Sequence, residues 1–438
     1  MKTSVLKVIK HKFLERHFEE SVLFVVIGLI SAVICCAYAR IFNYAEYASH
    51  AFFHNFPVTS FILGPIGLMV SYALIVYVAP GATGAGIPQV IACIEIKDGT
   101  LLYRFLRKMV VIVKIISNVL AVFVGAATGR EGPSLQIAAA ISYNVGKFAQ
   151  RWGLKVKTEQ LLVAGAAGGL SAAFNTPIGG VIFAIEELSK EHVRNFRDVL
   201  ILSVIIAGLA SQAINGSYLF LGTPGVDADL TSWSVSLVVI TAFLSGILGG
   251  AFTKYLIILM RWRARLKMWQ QFTVVGCVGL ILVTAIHYLG SRHGYSGKES
   301  INVVLFSKDT LPWYESLTRF FMPLLTSTTG VAGGVFAPAL SAGAVIGGTL
   351  ASFIDPELMV LLGLAGMVGF LTGITHTPIT SFILVLEMTD RHAVVFPMML
   401  AALCASIGAH IVSNHSYYEE VVEEIRAKTE KAKVDTIS

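Results

Sequence analysis

The chain has 438 residues, 55% of them hydrophobic and only 14% charged, with a formal net charge of +6. Soluble globular domains carry about 25% charged residues, so the composition excludes an ordinary soluble protein. The excess positive charge falls in loops between apolar runs, which is a membrane pattern and not a nucleic-acid footprint.

Taken in chain order, the first twenty residues are basic but include Glu15, Glu19 and Glu20. No small-residue cleavage site follows, so they read as an N-terminal segment before the first span and not as a signal peptide. Apolar runs then recur at 22–42, 60–79, 109–127, 160–186, 199–222, 234–260, 273–290, 316–329, 334–354, 357–371, 378–388 and 393–412. Several reach the ~20 residues that a helix needs to cross a ~30 Å hydrocarbon core. Others are short, or are broken by Gly and Pro. The fold class expected is an all-α polytopic membrane protein.

Between the runs, Lys and Arg cluster at 2–16, 97–108, 190–197, 261–267 and 428–433, whereas 43–60 and 213–233 contain none. The positive-inside rule then places the basic set and both termini in the cytoplasm; a basic loop at 147–157 does not fit this scheme. Glu46, His50 and His54 recur at i, i+4 and i+8 in a segment expected to be a polar external loop, and metal ligation would need more partners. The five cysteines (Cys35, Cys36, Cys93, Cys277, Cys404) sit in apolar runs without metal spacing and read as small hydrophobes. No metal, cofactor or nucleic acid is expected. Lys114 interrupts the run 109–127 and is expected to pair with a carboxylate or to supply positive potential near a site.

Three breaks stand out: "GATGAGIPQ" (81–89), "GREGPSLQ" (129–136) and "GGVFAPAL" (333–340). In each, Pro88, Pro133 or Pro338 lies where a helix begins, a position that tolerates its missing N–H. The preceding glycines permit unusual backbone angles and close approach of a ligand. Helix N-termini with unbonded N–H groups select anions. Any single break is read as a kinked packing helix; three in one chain favour an anion site. "GATGAG" is not a nucleotide loop, because no strand precedes it and no P-loop Lys follows.

A weak internal repeat supports this reading. "AGAAGGLSAAFNTPIGGVIFAIEEL" (164–188) aligns with "AGMVGFLTGITHTPITSFILVLEMT" (365–389), matching Gly165 to Gly366, Thr176-Pro177 to Thr377-Pro378 and Glu186 to Glu387. Duplicated halves with interrupted segments at corresponding positions are a transporter signature. The expected division is an N-terminal segment 1–20, a transport domain 21–418 with halves of about 21–215 and 234–418, and a tail 419–438.

Glu131 lies inside the second break. A carboxylate at a helix N-terminus is itself an anion, so it can occupy the site it guards, and protonation frees that site. Its salt bridge with Arg130 is the bland alternative, disfavoured because adjacent residues rarely face each other on a helix. Glu186 and Glu187 end an apolar run; one reads as a solvated helix end near Lys190, the other as an inner proton entry point. "SNHSYYEEVVEEIRAK" (413–428) is a charged amphipathic tail helix with Tyr417 and Tyr418 at its entrance, either interfacial anchors or phenols that donate to a bound anion.

The order GAGIP (84–88), GREGP (129–133), GVFAP (334–338) and a late tyrosine closely resembles the CLC family of chloride channels and proton-coupled chloride transporters, over about residues 22–420. The resemblance implies inverted-topology halves with many tilted and broken helices. It implies a homodimer with one anion pathway per subunit, carrying chloride and protons across a bilayer, and no enzymatic activity. It implies an anion held by Ala85, Gly86, Arg130, Glu131, Gly132, Val335, Phe336 and Tyr418, with Tyr417 the alternative of the doublet. Glu131 would be the external gate and proton acceptor, and Glu187 the internal proton-transfer group. An acid at that second position favours an antiporter over a passive channel, which is the alternative function. The family's first motif usually has Ser where this chain has Ala85, a substitution associated in relatives with altered anion preference, including toward nitrate. The fluoride-specific branch has an asparagine-containing first motif, absent here. The expected location is the inner membrane of a prokaryote.

Overall fold

The computed structural model describes residues 2–188, 197–216, 219–225, 231–307, 309, 311–389 and 392–437, with residues 2–17, 197–199, 392, 436 and 437 described by backbone alone. The basic loop at 190–197 lies almost wholly outside the described residues.

The first half holds α1 (Lys2–Asn55), α2 (Pro57–Ala73), α3 (Ile87–Ile96), α4 (Gly99–Leu106), α5 (Lys108–Phe123), α6 (Glu131–Arg151), α7 (Thr158–Phe174), α8 (Pro177–Phe183) and α9 (Arg197–Asn215). The second holds α10 (Ser232–Ala264), α11 (Met268–Leu289), α12 (Lys298–Asn302), α13 (Trp313–Thr328), α14 (Phe336–Ile354), α15 (Met359–Thr375), α16 (Pro378–Thr389), α17 (Val395–Val412) and α18 (Tyr417–Ile437). The described residues form no strand, only two isolated β-bridges. Among the described residues, seven helical stretches are long and apolar enough to cross a membrane.

One expectation is corrected at the outset. Glu46, His50 and His54 lie in α1, not in a loop. Phe42, Ala45, Ser49 and Phe53 are buried at helical spacing along the same stretch, and no Gly or Pro interrupts it until Pro57. Burial of that stripe carries the helix past its last basic residue, Arg40.

The repeat is visible as structure. In α15 every residue is buried, and in α7 every residue from Leu161 onward. Such helices, apolar on all sides, belong inside a bundle. Each ends in one left-handed residue, Asn175 at φ 60° or His376 at φ 56°. A Thr-Pro follows in both, and the proline opens α8 or α16.

The two short helices α8 and α16 then cap each other. Glu186, in a π-helical turn (Ala184–Leu188) after α8, accepts from the Ile379 N–H at 3.1 Å and the Thr380 N–H at 2.7 Å. Glu387, at the end of α16, accepts from the Ile178 N–H at 3.0 Å and the Gly179 N–H at 2.7 Å. Each carboxylate therefore meets orphan donors and the positive end of the partner helix. The helices run antiparallel, and the two halves are joined by matched residues. We expect Glu387→Ala to lower unfolding stability by about 1–2 kcal/mol. A lower thermal midpoint in detergent will show it, while the exposed Glu423→Ala stays within ~0.5 kcal/mol.

The tail helix α18 is fastened by charge along its length. Arg426 reaches Glu95 at 2.9 Å, Lys433 reaches Asp98 at 2.8 Å, and Arg261 of α10 reaches Glu420 and Glu424 at 2.7 Å each. The hydrogen bond from Lys433, with a further one from Thr100, holds the Asp98 carboxyl well below its ordinary range. These ties hold in place the helix whose first two residues are Tyr417 and Tyr418.

Candidate functional site

The three glycine-rich breaks become three helix starts. Gly86 caps α3, Arg130 precedes α6 and Val335 precedes α14. Gly84 and Gly86 have φ of 62° and 94°, a backbone region that an L side chain strains. The prolines sit at the second or third helical position, so each helix starts one or two residues before its proline.

The breaks touch each other directly. Gly129 and Gly334 exchange two N–H···O bonds of 2.8 Å. Gly84 bridges to Ala332, and the Gly333 N–H donates to the Gly84 carbonyl at 3.1 Å. A Cβ on Gly132 would lie 2.6 Å from the Ala85 carbonyl oxygen, so only glycine permits that approach. Among the described residues, the N–H groups of Ala85, Gly86, Ile87, Gly132, Phe336 and Ala337 meet no backbone acceptor, and those of Arg130 and Glu131 turn to the Glu131 carboxylate. Unbonded N–H groups at buried helix starts are costly unless something anionic meets them.

Glu131 is 1% exposed, and its Oε2 has no hydrogen-bond partner. A Cβ on Gly129 would overlap that oxygen and would also crowd Ala337 and Pro338. The carboxylate therefore folds over the break, against the first turn of α14. Arg130 Nε stands 4.0 Å from Glu131 Oε1, at the limit of an ion pair. Its guanidinium is committed to α1 instead, donating to the Ala39 carbonyl at 2.8 Å and Asn43 Oδ1 at 2.7 Å.

Two cavities flank this centre. One, of about 190 Å³, is lined by Ala85, Gly333 and Val335, by Tyr417, and by the cations Arg104, Arg263 and Lys428. The other, of about 520 Å³, is lined by Glu187, Ile91 and Glu95, and by His415, Glu419 and Arg426 of the tail. Glu187 is 4% exposed; the π-helical turn sends it to a different side from Glu186. The tyrosine doublet divides its contacts. Tyr417 lines the first cavity. Tyr418 is fully buried, its ring centroid is 6.4 Å from that of Phe336, and its hydroxyl has no partner. The structure thus brings Ala85, Gly86, Arg130, Glu131, Gly132, Val335, Phe336 and the tyrosines around one centre and sets Glu187 on an adjoining cavity.

Lys114 departs from one of its two sequence readings. Among the described residues no carboxylate pairs with it, and its ammonium donates to carbonyls of the first break. Three polar residues at or beside the breaks, one of them the last residue of GREGPSLQ, have no role assigned by the sequence. Gln136 donates to the carbonyls of Gly81 and Phe105 at 3.1 and 3.0 Å, and Ser117 and Asn118 share a face with Lys114. Their signal is polarity inside an apolar run at i, i+3 and i+4. Among the described residues no three His, Cys, Asp or Glu side chains are placed to hold a metal.

Comparison with known proteins gives a consistent result. Residues 66–410 match the family described as voltage gated chloride channel. The H(+)/Cl(-) exchange transporter ClcA of Vibrio cholerae serotype O1 is 29% identical over 394 residues, spanning 83% of this chain and 79% of its own. The protein of the same name from Salmonella paratyphi B is 28% identical over 409 residues, spanning 89% and 83%. Among solved structures, a slow cyanobacterial Cl−/H+ antiporter shares the fold with a TM-score of 0.81 at 22% identity, covering 93% of this chain and 98% of its own. A CLC-type fluoride/proton antiporter shares it with a TM-score of 0.76 at 20% identity, covering 92% and 97%.

Proposed function

We propose, from the premise that this chain belongs to the voltage-gated chloride channel family, that it is a secondary transporter exchanging chloride for protons across a membrane. One observation carries the reading: three helix starts converge where the Glu131 carboxylate lies, one of its oxygens without a partner and the Arg130 and Glu131 N–H groups turned toward it. Each helix start contributes roughly half a positive charge. A chloride ion and the ionised Glu131 compete for the same donors. Protonation removes the charge of Glu131 and releases the donors to chloride, so binding one ion favours binding the other. Protons reach the opposite side through Glu187, whose cavity opens between α3 and α18. Chloride reaches the centre through the cavity lined by Arg104, Arg263 and Lys428.

The test is purified protein in liposomes under a chloride gradient, with chloride and protons recorded together. Chloride movement without opposed proton movement defeats the coupling; no anion movement defeats the whole reading.

The same reading places the chain in the inner membrane of a prokaryote with both termini cytoplasmic, as a homodimer. In support, α8, α9, α16 and α17 expose Ile178, Leu209, Ile379 and Ile407, an apolar face that suits a second copy. Ala85 sets a further expectation. It is 2% exposed beside Gly132, and Ala85→Ser adds one donor of about 1 kcal/mol. We expect that variant to favour chloride over nitrate about fivefold more than the parent, measured as relative flux.

A further inference from the structure

The three breaks do not hold one another unaided. Beyond its first residue, α5 is apolar except for one face that carries Lys114, Ser117 and Asn118, all fully buried. Lys114 Nζ donates to the carbonyls of Ala82, Thr83 and Gly84 at 3.0, 3.3 and 2.8 Å. The Ser117 hydroxyl accepts from the Ala332 N–H at 3.3 Å. Asn118 Nδ2 donates to the carbonyls of Ala332 at 2.9 Å and Gly129 at 3.4 Å, while its Oδ1 accepts from the Tyr38 hydroxyl. Three side chains one turn apart therefore bond the first two breaks and Ala332, the residue just before the third, in both halves of the chain.

The direction of these bonds matters. In a trans peptide the C=O and the N–H of one unit point to opposite sides. Drawing the carbonyls of Gly84 and Gly129 toward α5 turns the N–H groups of Ala85 and Arg130 away from it. The Ala85 N–H meets no backbone acceptor, and the Arg130 N–H turns to the Glu131 carboxylate, the group that competes with an anion for these donors. We propose that this face of α5 is the positioning device that aims the anion-binding N–H groups and so sets affinity and selectivity, with Asn118 as its keystone. The inference rests on the anion-site reading above.

The test uses Asn118→Ala and Ser117→Ala, with Ser142→Ala as control. Ser142 is equally buried, but its hydroxyl donates to the Leu161 carbonyl, away from the breaks. Initial rates for chloride and for nitrate are measured over a range of concentrations, so that KM separates from kcat. Asn118→Ala is expected to raise KM for chloride about tenfold and to bring the chloride-to-nitrate ratio toward one. Ser117→Ala should shift both by about twofold to threefold in the same direction, and Ser142→Ala should shift neither. If Asn118→Ala does not fold, Ser117→Ala decides. Anion KM and selectivity at parental values in the folded variants overturn the proposal alone. A parent protein that moves neither anion overturns the transport reading, and this proposal with it.

Discussion

Replacing Glu131 by alanine is expected to leave anion flux running while removing both its pH dependence and its coupling to protons. In the parent the carboxylate lies against the first turn of α14 with one oxygen unpartnered. Alanine removes the competing negative charge and leaves the main-chain donors in place. Chloride-driven proton uptake should fall by roughly 100-fold or more, the scale on which a positioned proton-transfer group acts. Anion flux, which in the parent should rise as the medium is acidified, should become flat with pH. Glu131→Gln, frozen in a neutral state, should also be flat. The variants should be at least as stable as the parent, because a buried carboxylate without a full set of partners costs desolvation energy. Stoichiometric exchange in Glu131→Ala would sink the role assigned to this residue.

The second large effect belongs to Glu187→Gln. The amide has nearly the same shape and keeps one acceptor, so packing on the π-helical turn survives, but it neither takes up nor releases a proton at neutral pH. Proton uptake should drop to background, again by roughly 100-fold, with anion flux retained. The two variants part company in one respect. Glu187→Gln keeps Glu131, so its anion flux should still rise toward acid pH. Liposome flux at several pH values separates them, and flux that is flat with pH in Glu187→Gln would mean that the two acids do not have distinct tasks.

Much of the centre was legible because glycine and proline act locally. A left-handed Gly86 or a proline in the first turn marks a helix start whatever surrounds it. The repeat was legible because Thr-Pro and a matching glutamate occur at one offset in both halves. What Glu186 and Glu387 do was not legible. Each caps a helix of the other half, and nothing near either residue in the chain names that partner. The same holds for Ser117 and Asn118, which the sequence reading passed over because the residues that they bond come from elsewhere in the fold. Glu46 to His54 misled for the opposite reason. Polar residues suggested a loop, while the stripe of Phe42, Ala45, Ser49 and Phe53 that carries the helix is marked only by its helical spacing.

The bonds between the breaks also have a consequence for biogenesis. Asn118 and Ala332 are 214 positions apart in the chain, and Gly129 meets Gly334 across the two halves. At a synthesis rate of ~5–20 residues per second, the first half waits some tens of seconds for its counterpart. Through that interval Gly129 lacks the Gly334 partner with which it exchanges two hydrogen bonds, so the centre is complete only after the start of α14 has been made.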